Sequence, residues 1–559
     1  MTAPVVVLDT ETTGLDPRAD RLVLVGFAID GAGAVLLRHD HDREHIQAFL
    51  DLEHATFCGH NLTFDLGFIE AAGYRIPPPE RWVDTVLMAH VAGERLPGQT
   101  ALARLTAKLI ELGELPEAIL EPEAAIRAWL AADRRQARKD GRRRPEKGDA
   151  PESLLRPYLH ADLDATAAVL RHYGGAINGQ GPVLELERRC MPAIYATERR
   201  GVPLDLEAAT ELRDRTAVTV DDLRARLFEL AGHPFNLNSA RQIEAALIGR
   251  GADLCAVPRT PKAGLPMYTA DTLAAISDEL AAVLLEYRSE KKLSDYVAGL
   301  WKHAHGDRLY GTFRQCGTDT GRMSSASPNL QNIPKSDLRV RYTICAGEGK
   351  VLVGADLDNA ELRVLAAFAP GGALEQAFAS GVDLHQQTAD AVGISREEGK
   401  RLGLSIIYGA GAPLISKRLG VDAGEAKAIL DRWYATYPEV GRLKAKLTRQ
   451  VREHGYLTSV GGRRHYFETP NHMLLNRLVS GSCADLFKVA AIELHELGVP
   501  VVLYVHDEIV AEVPISEAAR IGKQIEVALA RGAGPITNLA AKASRHERWS
   551  AFKDPEWTP

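Results

Sequence analysis

Two acids stand two residues apart at the end of an apolar run near the start of the chain: VVVLDTETTGLD carries Asp9 and Glu11 behind Val5, Val6, Val7 and Leu8. If the run is a strand, alternation turns both carboxylates to one face, where they can share a divalent cation. A solvated strand end would show the same pair, so two later segments matter. In FCGHNLTFDLGFI, Asn61 and Asp65 are four apart, and in YLHADLDATAAVL so are Tyr158 and Asp162. On helices each pair stacks one turn apart. Bringing Asp9, Glu11, Asp65 and Asp162 together from separate elements costs mutual repulsion unless cations offset it. Two divalent ions about 4 Å apart would activate a water and stabilise the leaving oxygen of a phosphodiester, with Tyr158 orienting that water.

A second set lies downstream. In KVLVGADLDNAELRVLAAF, Asp356 follows an apolar strand, and Glu361 and Arg363 lead into an apolar helix. In VVLYVHDEIVAEV two apolar runs flank His506, Asp507 and Glu508, a hairpin signal whose Asp also fits plain turn chemistry. In REEGKRLGLSIIYG, Arg396, Lys400, Leu404 and Tyr408 recur every four residues and line one stripe of a helix, cationic at its start and aromatic at its end. A nucleoside triphosphate asks for that order, with Arg and Lys on phosphate oxygens and a ring against the base. An amphipathic helix with a basic solvated end accounts for the stripe equally well.

The elements that must position these residues follow from the pattern of the chain. Strand-like runs alternate with helical stretches to about Leu170, and Gly174, Gly175, Gly179, Gly181 and Pro182 mark a flexible break and the first domain boundary. From Leu184 to about Leu300 the pattern is mostly helical, interrupted by turns over Pro258 to Pro266. Short strands return after Arg308, helices dominate from about Leu374 to Thr448, and a strand pair closes the set near Val501 to Val513. The run of Arg134, Arg135, Arg138, Lys139, Arg142, Arg143, Arg144 and Lys147 could hold single-stranded DNA; a solvated, partly disordered loop accounts for it better.

At 559 residues the chain exceeds one hydrophobic core and predicts several domains. Its 45% hydrophobic and 25% charged composition is that of a globular protein. No apolar run reaches the roughly eighteen residues of a membrane span, and no apolar leader follows Met1, so a cytoplasmic protein is expected. The six cysteines lie far apart and read as reduced core thiols. The net charge of −7 argues mildly against nucleic-acid binding, although carboxylates gathered at metal sites can hide a basic groove.

The first 170 residues, with Asp9 and Glu11, Asp65, and Tyr158 and Asp162 in order, resemble the tyrosine variant of the DEDD-type 3'-5' exonucleases. From about Gly201 onward, TDTGRMSSASPNLQNIP, Asp356, the stripe and His506–Glu508, together with FNLNSARQ and LLEYRSEKKLSDYVAGL, resemble the family A, bacterial polymerase I-like, DNA polymerases. These resemblances imply a multidomain α/β and α+β protein: a ribonuclease-H-like exonuclease domain over 1–175, then a right-hand polymerase domain over 183–559. Within the latter they imply a thumb over about 201–305, a palm over about 306–373 and 472–559, and fingers over about 374–471. They further imply template-directed DNA synthesis from dNTPs with 3'-5' proofreading, and two Mg2+ per site, Mn2+ being an alternative.

By position, Asp356 and Asp507 would ligate one pair of ions and Asp9, Glu11, Asp65 and Asp162 the other. Glu508 would support the palm site without binding metal. His385, Arg396 and Lys400 would grip the triphosphate, with Lys400 protonating pyrophosphate, and Leu404, Tyr408 and Glu361 would complete the nucleotide site. Arg288 and Lys292 suit duplex phosphates, and Arg322, Asn332, Asn476 and His506 the primer-template, the first three at its minor groove. The chain departs from the family at Leu404, usually aromatic, at Asp358, usually small and polar, and at Ser480, usually Gln. Nucleotide preference is where those departures are expected to act.

Two rivals are a single-subunit RNA polymerase, against which Glu361 argues by blocking a ribose 2'-OH, and a repair factor with a non-catalytic polymerase half, against which Asp356 and Asp507 argue. A monomer is expected. With no 5'-nuclease region before Asp9 and no long insertion between Leu300 and Leu309, the layout resembles a phage replicative enzyme, and a truncated bacterial one would look similar.

Overall fold

The computed structural model describes residues 4–29, 33–95, 98–176, 179–261, 263–334 and 337–556. Its first sheet contains β1 (Val5–Thr12), β2 (Leu22–Ile29), β3 (Gly33–Arg38), β4 (Thr56–Gly59) and β5 (Trp82–Asp84), in the order β3-β2-β1-β4-β5. The β1–β2 and β2–β3 pairs are antiparallel, and the β1–β4 and β4–β5 pairs are parallel. As the central strand β1 is covered on both faces, which explains why Val6, Val7 and Leu8 form an unbroken buried run rather than alternating with polar residues. Helices α1 (Leu62–Ala71), α2 (Thr85–Ala92), α3 (Glu121–Asp140) and α4 (Glu152–Ala176) surround the sheet, with α1 against β1 and α4 across β1, β2 and β3.

Two expectations are corrected in this region. The glycine break is narrower than its composition suggests: Gly174 and Gly175 stay helical in α4, and Gly181 and Pro182 open α5 (Gly181–Arg200), where a first-turn proline forfeits no helical hydrogen bond. Residues 177–178 of that break lie outside the described residues. The basic run is not a loose loop. Arg134 to Asp140 continue α3, and the chain beyond is held by ion pairs of Arg134 with Glu146, Arg142 with Asp133, and Arg143 with Asp149.

Helix α5 is shared, lying against α1 and α2 on one side of the chain's division and against the second half on the other. Two long helices follow, α6 (Leu206–Ala231) and α7 (Glu279–Trp301), packed along each other. A separate apolar cluster including Leu227, Phe235, Ile243, Leu273 and Leu284 closes one end of this pair.

The second sheet is antiparallel: β6 (Lys350–Leu357), β7 (Val501–Val505), β8 (Glu508–Pro514) and β9 (Ala541–His546), in the order β7-β8-β6-β9. Strand β9 escapes sequence reading because it carries no apolar alternation; Lys542, Arg545 and His546 are typical of an edge strand kept from pairing further. Between β6 and β7 run α8 (Ala360–Phe368), α9 (Leu384–Val392), α10 (Arg396–Ile407) and α11 (Leu474–Glu496), among other helices. Helix α11 is buried on nearly every side, from Leu474 to Leu494, as expected of a helix in the middle of a large core. Among the described residues no helix is long and apolar enough to cross a membrane. All six cysteines are free; Cys58, Cys190 and Cys483 are buried as expected, whereas Cys255 is exposed and Cys316 and Cys345 are half-buried.

Two candidate carboxylate centres

The first centre forms where β1 meets α1 and α4. Alternation along β1 brings Asp9 and Glu11 to one side, and one carboxylate oxygen each of Asp9, Glu11 and Asp162 lie within 4.8 Å of one another. Asp65, on the first turn of α1, stands outside that trio but near enough to raise Asp9 and Glu11, and its carboxylate accepts a hydrogen bond from the Thr10 hydroxyl at 2.6 Å. Asn61 does not share that helix turn, contrary to the four-residue spacing: it is the N-cap, in the left-handed conformation at φ 71°. Its backbone N–H and that of Leu62 donate to Asp84, at 3.1 and 3.0 Å, and Asp84 also caps α2 through Val86 N–H at 2.8 Å. Asp84 was not singled out from the sequence; its position directly before an apolar helix was the available signal.

Burial, more than any neighbour, governs the charge of these acids. It pushes Glu11 up to about 8, with Lys147 opposing and Asp162 adding to the rise. It pushes Asp65 up to about 8 despite the Thr10 hydrogen bond, and Asp162 up to about 6 despite Tyr158 and Lys147. Asp9 rises well above the ordinary carboxylate range through burial and then through Asp65, Asp162 and Glu11. Four acids that resist ionising together, offering only hard oxygen donors, have the chemistry of a site for a small divalent cation. Tyr158, one turn before Asp162 on α4, is buried beside them, and its phenol is also pushed up, first by burial and then by Asp162.

The second centre lies at the ends of β6 and β8. Asp356 pairs in register with Glu508, and the Leu357 N–H donates to the Asp507 carbonyl at 3.2 Å, so the hairpin turn brings Asp507 beside Asp356. Both line a cleft of ≈ 560 Å³ together with Arg322, Asp358, Glu361, His385, Lys400, Leu404, Tyr408 and His506. Helix α10 begins at a capping box, Ser395 accepting from Glu398 N–H at 3.3 Å and Glu398 accepting from Ser395 N–H at 2.9 Å. Gly399 then lets α10 press on α9: a Cβ there would sit 2.6 Å from the His385 carbonyl oxygen, so the close approach that sets His385 near Lys400 needs glycine. Burial lowers the His385 imidazole below its ordinary value.

The stripe divides in the structure. Lys400, Leu404 and Tyr408 line the cleft, but Arg396 is absent from its lining and pairs with Asp383 at 2.7 Å. Arg322 reaches into the cleft, donating to Glu361 at 2.7 Å and lying 3.9 Å from Asp507. Glu361 also accepts from Tyr408 Oη at 2.8 Å and Ser480 Oγ at 3.1 Å, and Asn476 donates to Ser480 at 3.2 Å. Asn476 and Ser480, expected at or near a DNA groove, are thus buried members of one chain of hydrogen bonds ending on Glu361.

Asp358 is neutralised by Arg363 at 2.7 Å, and Arg363 is itself held by the Asn538 carbonyl. Asn332 and Lys292 are exposed, while Arg288 is half-buried and donates to the Tyr268 carbonyl. Glu508 points into the core, accepting from Trp549 Nε1 at 3.1 Å and lying 4.0 Å from Arg341. Arg341, stacked 3.7 Å over the Trp549 ring and fully buried, was not anticipated; in LRVRYTI it is one of two arginines set between apolar residues, and nothing local tells it from Arg339.

Comparison with known proteins follows this geometry. Residues 206–549 match the model of DNA polymerase family A. The chain is 31% identical to the thermostable DNA polymerase I of Thermus aquaticus over an alignment covering 87% of this chain and 66% of that protein. It is 29% identical to the DNA polymerase I of Chloroflexus aurantiacus, over 94% of this chain and 59% of that one. The chain therefore spans less than two thirds of the length of these relatives. Among solved structures, the POL domain of Pol1 from M. smegmatis, in complex with DNA primer-template and dNTP, superposes with a TM-score of 0.77. The superposition covers 98% of this chain and 95% of that one, and at 21% identity it speaks for the fold alone.

Proposed function

The chain belongs to DNA polymerase family A, and from that premise we propose that it extends a primer 3' end on a DNA template from deoxynucleoside triphosphates and trims 3' ends at a separate hydrolytic centre. The observation that carries the first activity is the cleft in which Asp356 and Asp507 meet Lys400, His385, Tyr408 and Glu361. The proposed division is 1–175 for the exonuclease and 183–559 for the polymerase, with thumb, palm and fingers over about 201–305, 306–373 with 472–559, and 374–471. It is supported by the two separate sheets and by the distinct apolar cluster at the end of α6 and α7. The mixed strand order around β1 agrees with a ribonuclease-H-like exonuclease.

Asp356 and Asp507 would hold Mg2+ in the cleft, and Asp9, Glu11, Asp65 and Asp162 would hold it in the hydrolytic centre. When bound, Mg2+ lowers the pKa of the attacking hydroxyl or water and neutralises charge at the transferring phosphoryl group. Lys400 grips the triphosphate and gives a proton to the leaving pyrophosphate, with His385 beside it on α9. Arg396 joins them only by releasing Asp383, since the pair at 2.7 Å occupies its guanidinium. Glu361, fixed by Arg322, Tyr408 and Ser480, cannot swing away from a nucleotide sugar, and its bulk and charge exclude a ribose 2'-OH. Arg288, Lys292, Asn332 and His506 are assigned to primer-template contacts, and Leu404 supplies an apolar wall to the nucleotide site.

Primer extension with dNTPs and Mg2+ tests the reading. Extension that Asp356→Ala abolishes supports it; degradation without extension would leave only the hydrolytic half.

A further inference from the structure

Arg134, Arg142 and Arg143 pair with acids around the basic run, whereas the last cation of the run turns toward the first centre. Lys147 points into the first centre, with Nζ 2.5 Å from Tyr158 Oη and 4.3 Å from the centroid of its ring. The backbone that delivers it is built rather than loose. Glu146 and Asp149 cap each other across the short turn Lys147–Asp149, and Arg143 grips both oxygens of Asp149 at 2.7 Å. Gly148 lies directly on β1: a Cβ there would be 2.3 Å from the Thr12 carbonyl oxygen, so no side chain fits between this turn and the strand that carries Asp9 and Glu11.

An ammonium has three donors and no acceptor, so in this contact the tyrosine oxygen accepts. Its own proton is then directed away from Lys147, toward the side occupied by Asp162, with which the hydroxyl also interacts. A tyrosine without such a partner could turn its proton either way about the ring.

We propose that Lys147 is a positioning residue of the hydrolytic centre, fixing the Tyr158 hydroxyl against Asp162 at the place where the attacking water is held. The proposal rests on the 3'-5' exonuclease reading above. The surrounding Arg134, Arg142 and Arg143 hold the turn in place through ion pairs with Glu146, Asp133 and Asp149.

The test uses the full chain and measures single-turnover trimming of a 5'-labelled single-stranded oligonucleotide with Mg2+, for the wild type, Asp9→Ala, Lys147→Met, Lys147→Arg, Tyr158→Phe and the Lys147→Met/Tyr158→Phe pair. Lys147→Met is expected to slow trimming roughly 10–100-fold at saturating DNA, the usual cost of losing a group that orients a reacting one. Lys147→Arg, which keeps a donor, recovers most of that loss. In the Tyr158→Phe background Lys147→Met adds less than about twofold, because residues acting as one unit are not additive. Unchanged trimming in Lys147→Met, or losses that multiply in the double variant, would overturn the proposal. If Asp9→Ala abolishes trimming while Lys147→Met leaves it intact, the Lys147 inference alone falls; if Asp9→Ala trims normally, or the wild type does not trim, the exonuclease reading falls and takes the inference with it.

Discussion

The two carboxylate centres hold clustered acids together in opposite ways. Around Asp9, Glu11, Asp65 and Asp162 two acids are buried, Glu11 and Asp65, and two are half-buried, with Lys147 the nearby cation among the described residues, and desolvation raises all four. Around Asp356 and Asp507 the cleft is open, and its acids are interleaved with cations: Arg322 lies between Glu361 and Asp507, Arg363 holds Asp358, and Lys400 stands on the facing helix. A buried set of like charges is complete only when a divalent cation joins it, whereas a balanced open cleft is assembled before substrate arrives. On the proposed reading, the first centre is arranged for an ion and the second for a large charged substrate.

The strongest way to break the comparison is to remove one acid from each centre. Asp356→Ala is expected to lower primer extension on the order of 10³-fold or more while leaving 3' trimming intact, and Asp9→Ala to do the reverse. Rates measured on labelled primer-template and single-stranded substrates check this, and a variant that damages both activities would mean the centres are coupled.

A second expectation concerns pH. Because the folded-state values of Glu11 and Asp65 are raised to about 8, their contribution to stability is fully present below about pH 4, where both folded and unfolded chains are protonated. It is lost as pH rises through 8. In EDTA at pH 8, Asp9→Asn should therefore raise the melting temperature by roughly 2–4 °C, and Mg2+ should erase the gain by stabilising the wild type. Calorimetry with and without the ion decides it; Asp356→Asn, in its balanced cleft, is the control expected to move little.

Within the cleft, Glu361→Ala should relax exclusion of ribonucleotides by roughly 10–100-fold, the scale of a lost steric contact, read as the ratio of kcat/KM for dNTP over rNTP. Unchanged discrimination would remove Glu361 from the sugar site. The smallest effect is expected at Asp358→Ser: its charge is already answered by Arg363, so steady-state incorporation should stay within about twofold of wild type.

Much of this was legible because it is local. A buried apolar run followed by an acid reads as a strand end, the four-residue spacing of Lys400, Leu404 and Tyr408 reads as one helix face, and the runs about His506–Glu508 read as a hairpin. What was not legible was set by partners outside the local pattern. The stripe gives the place of Arg396 but not its pairing with Asp383, thirteen residues back across a turn. The basic run looked solvated because its acids, Asp133, Glu146 and Asp149, are outnumbered in composition, yet each has an arginine at hand in space. Strand β9 was invisible because an exposed edge needs no apolar pattern.

From the amino-acid order alone came the identity of the acids, their settings on strand ends, helix turns and a hairpin, and the stripe of Lys400, Leu404 and Tyr408. Those features depend on backbone periodicity and turn chemistry, which operate over a few residues. Tertiary structure decided which charges meet: Lys147 on Tyr158, Asp84 behind Asp65, Arg341 beneath Glu508, and Arg322, Tyr408 and Ser480 converging on Glu361. Apart from Lys147 and Tyr158, eleven residues apart, the partners in these meetings are separated by nineteen to more than a hundred residues. They arise only when packed helices and sheets exclude water, raising the cost of any buried charge left without an answer.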